Sequence, residues 1–398
     1  MSGFRFTPGV AGDVGFSASG LYELSLYFDT LVANGTYPGM VALLARGDKL
    51  VFSHVTGFAD LETRAPLMHD TIFNLYSMSK PFTTVGLLLL YEEGKWRFDD
   101  PISTHLPEFR DIARQPGGMA SREPSMLDIF LHTAGFTMGS TKEEIIAAFQ
   151  KIGWDNARSL TELIGRYAEM PLGYDPGTAW EYGNATDLQA EIAERITGER
   201  FDLFLKRRIF DPLEMHDTCF DLGYERSRRL ARSHIVDAET GKMRPITTDP
   251  MERMEAIFPM GGTSFRSTAL DFARFARMLL NRGTLGETRI LLPATVDLML
   301  TNHLPDALLK NTYGAAHYVV GNGNGHGLNG LVCIDPEKAG RPVGRGTYEW
   351  GGAYSTWFWI DPENDLLFVG MSNRRRIRPD PHANELVSQE IVYRALNT

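Results

Sequence analysis

Ser77-Met78-Ser79-Lys80 sets a hydroxyl and an amine three residues apart. In a helix, that spacing puts both side chains on one face. A serine hydroxyl is a poor nucleophile until a base takes its proton. A lysine amine serves as that base only where burial and nearby positive charge weaken its hold on its own proton. A helix start adds backbone N–H groups and a positive dipole end, both of which favour a developing oxyanion. The chemistry these residues suit is nucleophilic acyl transfer. Ser79 is a second hydroxyl in the same stretch, but Phe82 rather than a lysine stands three residues beyond it. Ser77 is therefore the expected nucleophile.

The surrounding residues make the pattern more than a chance string. An apolar stretch from Phe82 to Tyr91 ends at Glu92-Glu93-Gly94, a normal helix C-terminus with glycine beyond it. Pro81 is tolerated only in a first turn, where its missing N–H and fixed φ cost little. The helix must then begin at about Ser77 to Lys80.

Two later segments fit the same chemistry. Tyr182-Gly183-Asn184 follows Ser77 by 105 residues, inside Pro176-Gly177-Thr178-Ala179-Trp180-Glu181 and onward. A tyrosine can share a proton with the serine or the lysine, and Asn184 can donate to the lysine or to a substrate carbonyl. Glu349-Trp350-Gly351-Gly352-Ala353 precedes a C-terminal hairpin. Its glycines allow close backbone approach to a substrate, and the Ala353 N–H is a second candidate oxyanion donor. Phe136, Trp180, Trp350 and Tyr354 are the aromatics expected nearby, which suggests a narrow site.

The elements that must position these residues follow from periodicity. Leu21 to Val32 reads as a helix ended by Asn34-Gly35. Met40 to Ala45 and Leu50 to Val55 read as a hairpin closed by Arg46-Gly47-Asp48-Lys49. Tyr354 to Ile360 and Leu366 to Met371 read as a second hairpin, followed by a helix from about His382 to Leu396. Between the two ends the pattern is mostly helical: Lys142 to Gln150, Leu160 to Tyr167, Thr186 to Thr197, Ala269 to Asn281. Strands at both ends with helices between predict a discontinuous α/β domain, residues 1–76 and 255–398, with a mainly helical domain at 77–254 and the active site at the junction.

Composition excludes several function classes. Of 398 residues 43 % are hydrophobic and 23 % charged, which is ordinary globular material, and the formal net charge of −10 disfavours a nucleic-acid binder. Arg374-Arg375-Arg376-Ile377-Arg378 reads as a solvated segment of an acidic protein. Cys219 and Cys333 read as two reduced, buried thiols. The histidines show no ligand spacing, so neither a metal nor a cofactor is expected. Gly325-His326-Gly327-Leu328-Asn329-Gly330 fits G-x-G-x-x-G as a string, but a strand or loop follows where a dinucleotide site needs a helix. It reads as a flexible glycine-rich loop. Met1 to Gly20 has no leader pattern, and the longest apolar run, Val85 to Leu90, falls far short of the roughly 20 residues that span a bilayer. The expectation is a cytoplasmic protein acting on a small molecule, without membrane or nucleic-acid partners. Oligomeric state has no sequence signal here.

The combination of S-x-x-K, Y-x-N and the late Trp-Gly-Gly resembles the serine β-lactamase/penicillin-binding-protein superfamily, and is most similar to family VIII carboxylesterases. Supporting stretches are Ser125 to Gly135, Ile209 to Met215 and Gly261 to Asp271, so the resemblance covers roughly Gly39 to Asn373. It implies a β-lactamase/transpeptidase-like fold: an antiparallel sheet flanked by N- and C-terminal helices, with an inserted mostly helical domain. It implies Ser77 as nucleophile, Lys80 as activating partner, Tyr182 as general base or proton shuttle, and the N–H groups of Ser77 and Ala353 as oxyanion hole. Either Lys80 or Tyr182 can take the first proton, because strongly interacting groups titrate as a pair. Asn184, Trp350, Gly351, Gly352, Phe136, Trp180 and Tyr354 are the implied or expected substrate contacts. Trp350 stands where penicillin-recognising enzymes have lysine, which points to a carboxylesterase of short acyl chains. An acyltransferase of the same fold, a β-lactamase and a D-amino-acid peptidase are the alternatives. An α/β-hydrolase is excluded, since no serine sits in G-x-S-x-G.

Overall fold

Gly39–Arg46 does not alternate apolar with polar residues, because seven of its eight positions are buried. That is the mark of a strand covered on both faces. Its odd and even residues go to different cores. Met40, Ala42 and Leu44 join one apolar cluster, while Val41, Leu43 and Ala45 join another, as a period of two requires.

The computed structural model describes residues 4–114, 117–136, 143–237, 239–247, 257–310, 313–315, 318–376 and 383–396. The main sheet runs in the order Thr7–Pro8, Lys49–Asp60, Gly39–Arg46, Leu366–Ser372, Trp357–Asp361, Tyr348–Gly351, Leu331–Cys333, Asn324–His326, with Ala65–Pro66 paired to Lys49–Asp60. Thr7–Pro8 is parallel to its neighbour and the other pairs are antiparallel. Strands from the two ends of the sequence meet at the centre, with Met371 opposite Val41 and Gly370 opposite Ala42. Here Trp357 takes the space a side chain on Gly370 would need.

Helices cover both faces. Ala18–Ala33 and Asn384–Ala395 pack together over Phe28, Trp357, Trp359 and Phe368. On the opposite face lie Ala269–Leu280 and Lys80–Glu92. Phe82, two residues beyond Lys80, is the hub of this layer. Its ring meets Phe275 edge-on at 4.7 Å, Phe210 at 5.0 Å and Phe272 at 5.2 Å. Each such pair adds about 0.5–1.5 kcal/mol beyond area burial. The same core continues through Leu188 of the Ala185–Thr197 helix to Leu163 and Ile164 of the Leu160–Ala168 helix.

This mixed α/β architecture is the expected β-lactamase/transpeptidase-like fold, and the elements fall close to their predicted bounds. Four features differ. The last hairpin begins at Trp357 rather than Tyr354, because Ser355 at φ 60° turns the chain before the strand can start. Gly325 to Gly330 is no flexible loop: Asn324–His326 pairs with Leu331–Cys333 and all of it is buried. Glycine is needed there because Asn302 and the Tyr348 ring leave no room for side chains. Arg374 and Arg376 are not solvated. Arg374 is 2 % exposed and stacks 4.6 Å over the Tyr37 ring, and Arg376 pairs with Glu385. Ile377 and Arg378 lie outside the described residues. Both cysteines are free as expected, but Cys219 is only half-buried.

Gly86 sets how close the Lys80–Glu92 helix approaches Phe201–Leu205, since a Cβ there would lie 2.5 Å from a Leu205 methyl. Gly86→Ala is expected to be near neutral, because a helical-propensity gain of about 1 kcal/mol offsets the shift of that methyl. Gly86→Leu is expected to lose about 1–3 kcal/mol by overpacking. Urea unfolding of both variants checks this, and equal stabilities would contradict it.

Candidate active site

Tyr76–Ser79 forms a 3₁₀ turn that feeds the Lys80–Glu92 helix, with Pro81 in its first turn. Ser77 therefore sits just ahead of the α-helix rather than inside it. Tyr76 at φ 48° bends the chain into the turn, and its ring stacks on Tyr354 at 4.2 Å. The turn brings Lys80 Nζ to 3.2 Å from Ser77 Oγ. Ser79 faces the other way. It is wholly buried and accepts the Phe265 N–H at 3.2 Å, which makes it a structural acceptor.

Tyr182 comes from the loop before the Ala185–Thr197 helix, and its Oη lies 2.6 Å from Ser77 Oγ. Two groups, one three residues from Ser77 and the other 105 residues from it, thus converge on its oxygen. The Lys80 ammonium, 3 % exposed, also donates to Gly262 O at 3.1 Å. The N–H of that same glycine donates to Asp187 Oδ1 at 2.9 Å. Gly262 is sandwiched between the two charges, and a Cβ on it would lie 3.1 Å from Lys80 Nζ and 3.2 Å from Asp187 Oδ1. Burial raises the Asp187 carboxyl to about 6, against the opposing pull of the Gly262 N–H and the Lys80 ammonium. The sequence reading missed Asp187 and Gly262. Their signal was present, in Thr186-Asp187 at a helix start and in the Gly261-Gly262 pair.

Asn184 does not hold the lysine. Its Nδ2 donates to Tyr167 Oη at 3.2 Å, because the Ala185–Thr197 helix turns it toward the Leu160–Ala168 helix. The Tyr167 phenol is held well above its usual range by burial and by Asp187.

The Tyr182 ring is fixed on two sides. His132 meets it edge-on at 4.9 Å and Trp350 at 5.4 Å. His132, at φ 58°, caps the Met126–Leu131 helix. Burial, then His326 and Lys80, hold His132 well below the usual imidazole range, and burial brings His326 to about 4. Both rings are neutral at pH 7. They form an apolar-like wall with Trp180 and Trp350.

The aromatics expected to line the site instead stand behind it. Trp350 is 1 % exposed and Trp180 4 %. Phe136 packs edge-on against Phe109 at 5.6 Å in the core, and Tyr354 is buried on Tyr76. Strand and loop geometry turns these rings inward, so they pack behind the Ser77, Lys80 and Tyr182 side chains rather than offering free surface. Gly351 ends the strand Tyr348–Gly351, and Gly352 and Ala353 follow. Gly352 lies so close to Leu75 O that a Cβ would overlap it. Thr356 Oγ1 donates to the same carbonyl at 3.1 Å. These contacts press the Gly352–Ala353 peptide against the segment that carries Ser77, and Ala353 itself is exposed. Among the described residues no group of three or more His, Cys, Asp or Glu could hold a metal ion, and no helix is long and apolar enough to cross a membrane.

Residues 24–390 match the Beta-lactamase family. The chain belongs to that family. Protein Rv1367c of Mycobacterium tuberculosis is 32 % identical over 348 residues, covering 84 % of this chain and 85 % of that one. Esterase EstB of Burkholderia gladioli is 27 % identical over 90 % of this chain and 91 % of its own. Among solved structures, EstCE1, described as a hydrolase with promiscuous acyltransferase activity, is similar with a TM-score of 0.79 at 25 % identity, covering 94 % of this chain and 99 % of that one. The fold is that of the β-lactamase family.

Asp187 gives a pH test of the buried charge network. Its folded-state value of about 6 lies above the ordinary 3.8, so the folded protein binds this proton more tightly than the unfolded chain. Its contribution to stability is then fully present below about pH 4 and declines as pH rises through about 6. Asp187→Asn has no such dependence. Urea unfolding of both proteins from about pH 4 to 7 is expected to show the wild-type advantage shrinking across that window. A constant difference would mean the carboxyl titrates at its ordinary pH.

Proposed function

We propose that the protein is a serine hydrolase that cleaves carboxylic esters, of short acyl chains, through an acyl-enzyme on Ser77. The observation that carries this reading is the convergence of Tyr182 Oη at 2.6 Å and Lys80 Nζ at 3.2 Å on Ser77 Oγ. Ser77 Oγ accepts from a phenol and an amine in direct contact, the two groups able to relay its proton once one of them is deprotonated. With one member of the Tyr182–Lys80 pair deprotonated, that pair takes the Ser77 proton as Oγ attacks the ester carbonyl. The oxyanion is met by the N–H groups of Ser77 and Ala353, and the leaving alkoxide takes the proton from Tyr182. Water then repeats the sequence on the acyl-enzyme. The likeness to EstB and EstCE1 supports ester hydrolysis. The promiscuous acyltransferase activity of EstCE1 also favours a second reading, in which an alcohol replaces water as acyl acceptor. Product analysis with and without an added alcohol separates the two.

Trp350 supports an ester over a β-lactam as substrate. The buried indole at this position carries no charge to hold the carboxylate of a penicillin or cephalosporin. A charge-assisted hydrogen bond is worth roughly 1.5–3 kcal/mol, so its absence predicts about a tenfold to hundredfold handicap on such substrates.

Ser77→Ala is expected to abolish ester hydrolysis and fluorophosphonate labelling. Ser79→Ala is expected to keep labelling while losing about 1–3 kcal/mol of stability, because the Phe265 N–H is left without its acceptor. Labelling that survives only in the Ser77 variant would overturn the assignment. Tyr182→Phe and Lys80→Ala are expected to lower kcat about 10²–10⁴-fold with the fold intact. Near-wild-type turnover in Tyr182→Phe would make that tyrosine structural.

On wild-type enzyme, kcat/KM for p-nitrophenyl butyrate is expected to exceed that for a chromogenic cephalosporin by at least about tenfold. Equal values would show that another cation holds the carboxylate.

A further inference from the structure

We propose that Arg376 is the positioning residue of the oxyanion hole, the group that aims the Ala353 N–H at the reacting carbonyl. This inference rests on the acyl-enzyme reading of Ser77 given above. A trans peptide is planar, so its C=O and N–H point in opposite directions. The Ala353 N–H shares its plane with the Gly352 carbonyl. Whatever holds that carbonyl therefore aims the N–H.

Arg376 Nε donates to Gly352 O at 2.9 Å, and the Ser355 N–H donates to the same oxygen at 3.2 Å. Both donors lie on the side of the plane away from the Ala353 N–H. The grip extends along the chain. The backbone N–H of Arg376 donates to Ala353 O at 2.8 Å. Arg376 Nη2 reaches Thr356 O at 3.4 Å, the carbonyl that also takes the Gly352 N–H at 2.7 Å. One arginine thus touches the carbonyls of residues 352, 353 and 356.

The local backbone supplies part of this orientation through the Ser355 N–H, and Arg376 Nε adds a charged donor on the same oxygen, closer at 2.9 Å against 3.2 Å. Gly351 and Gly352 precede the peptide, and glycine lets a peptide plane rotate at little steric cost. Thr356 Oγ1 on Leu75 O holds the loop in place, but it does not choose which way the 352–353 plane faces. A cation on the carbonyl side does choose, and it polarises the amide so that its N–H becomes a better donor to an oxyanion. Arg376 is in turn held by Glu385 at the start of the Asn384–Ala395 helix. Their side chains are 8 % and 4 % exposed. The guanidinium is committed to a carboxylate and two carbonyls, so it is no free anchor for a substrate carboxylate. A lysine would not replace it, because a single ammonium lacks the planar fork that serves acceptors on several sides.

The test uses Arg376→Lys, which keeps a cation beside Glu385, and Arg376→Met combined with Glu385→Gln, which leaves no buried carboxylate unpaired. The end point of fluorophosphonate labelling counts competent Ser77 sites, so kcat is expressed per labelled site. In the double variant kcat per site is expected to fall about 10–100-fold with KM changed less than about threefold, because only the transition state uses the donor. Affinity for an arylboronic acid, which forms a tetrahedral adduct on the serine, is expected to fall by the same factor. Arg376→Lys is expected to fall between wild type and the double variant, and it alone decides the matter should the double variant not fold. Unchanged kcat per site and unchanged boronate affinity would overturn the proposal and leave Arg376 a structural clamp. Failure of the underlying reading shows itself separately, as wild-type labelling that persists in Ser77→Ala.

Discussion

A lysine only 3 % exposed is the constraint on which the rest of this site depends. A charge taken out of water without partners costs far more than a fold of this size can spare. Lys80 has partners on three sides: Ser77 Oγ, Gly262 O and, across the same glycine, Asp187. They come from three separated stretches of chain. The Ala185–Thr197 helix must lie against the Lys80–Glu92 helix to bring Asp187. The segment before Ala269–Leu280 must cross between them to bring Gly262. The Phe82 cluster, beside Lys80 in the same first turn, holds that arrangement by packing, and Ser77 inherits its position from it.

Ser77 is accordingly placed by a short, strained turn tied to both neighbours. Leu75 donates its N–H to Phe265 O at 3.0 Å, and its own carbonyl takes Thr356 Oγ1. The first bond links the turn to the segment that bears Gly262. The second links it to the loop after the Tyr348–Gly351 strand. The Ser77–Lys80 turn and the Gly352–Ala353 peptide are therefore registered against the same few backbone atoms. This is the kind of preorganisation that lets dipoles act on a transition state without moving. The neutral pair His132 and His326, with Trp180 and Trp350, closes the back of the site. Rings that exclude water there strengthen every interaction inside.

How much of this could be read beforehand depended on how local each feature is. The helix start at Ser77 to Lys80 followed from Pro81 and from i, i+3 spacing, which involve only neighbouring residues. The two hairpins and their turns were legible for the same reason. Tyr182 was found through Y-x-N, and the geometry puts it on Ser77 Oγ. Asn184, two residues on, points away from the lysine, since a helix start rotates successive side chains by about 100°.

Asp187, Gly262, Arg374 and Arg376 were misread or missed on one physical ground. The sequence shows that a residue is charged or small, and charge or smallness ordinarily means surface or turn. Here Arg374 lies over the Tyr37 ring and Arg376 is enclosed with Glu385 and two carbonyls, partners supplied by sheet order and by the C-terminal helix. The aromatics were recognised as neighbours of the site, but which face of a strand or loop they occupy is settled only when the sheet pairs. By itself the sequence determined the chemistry available and the local elements that carry it, because periodicity and turn residues act over a few positions. Tertiary structure alone decided which charges are buried, which partner each takes and which way the Gly352–Ala353 peptide faces, because those outcomes depend on contacts between segments far apart in the chain.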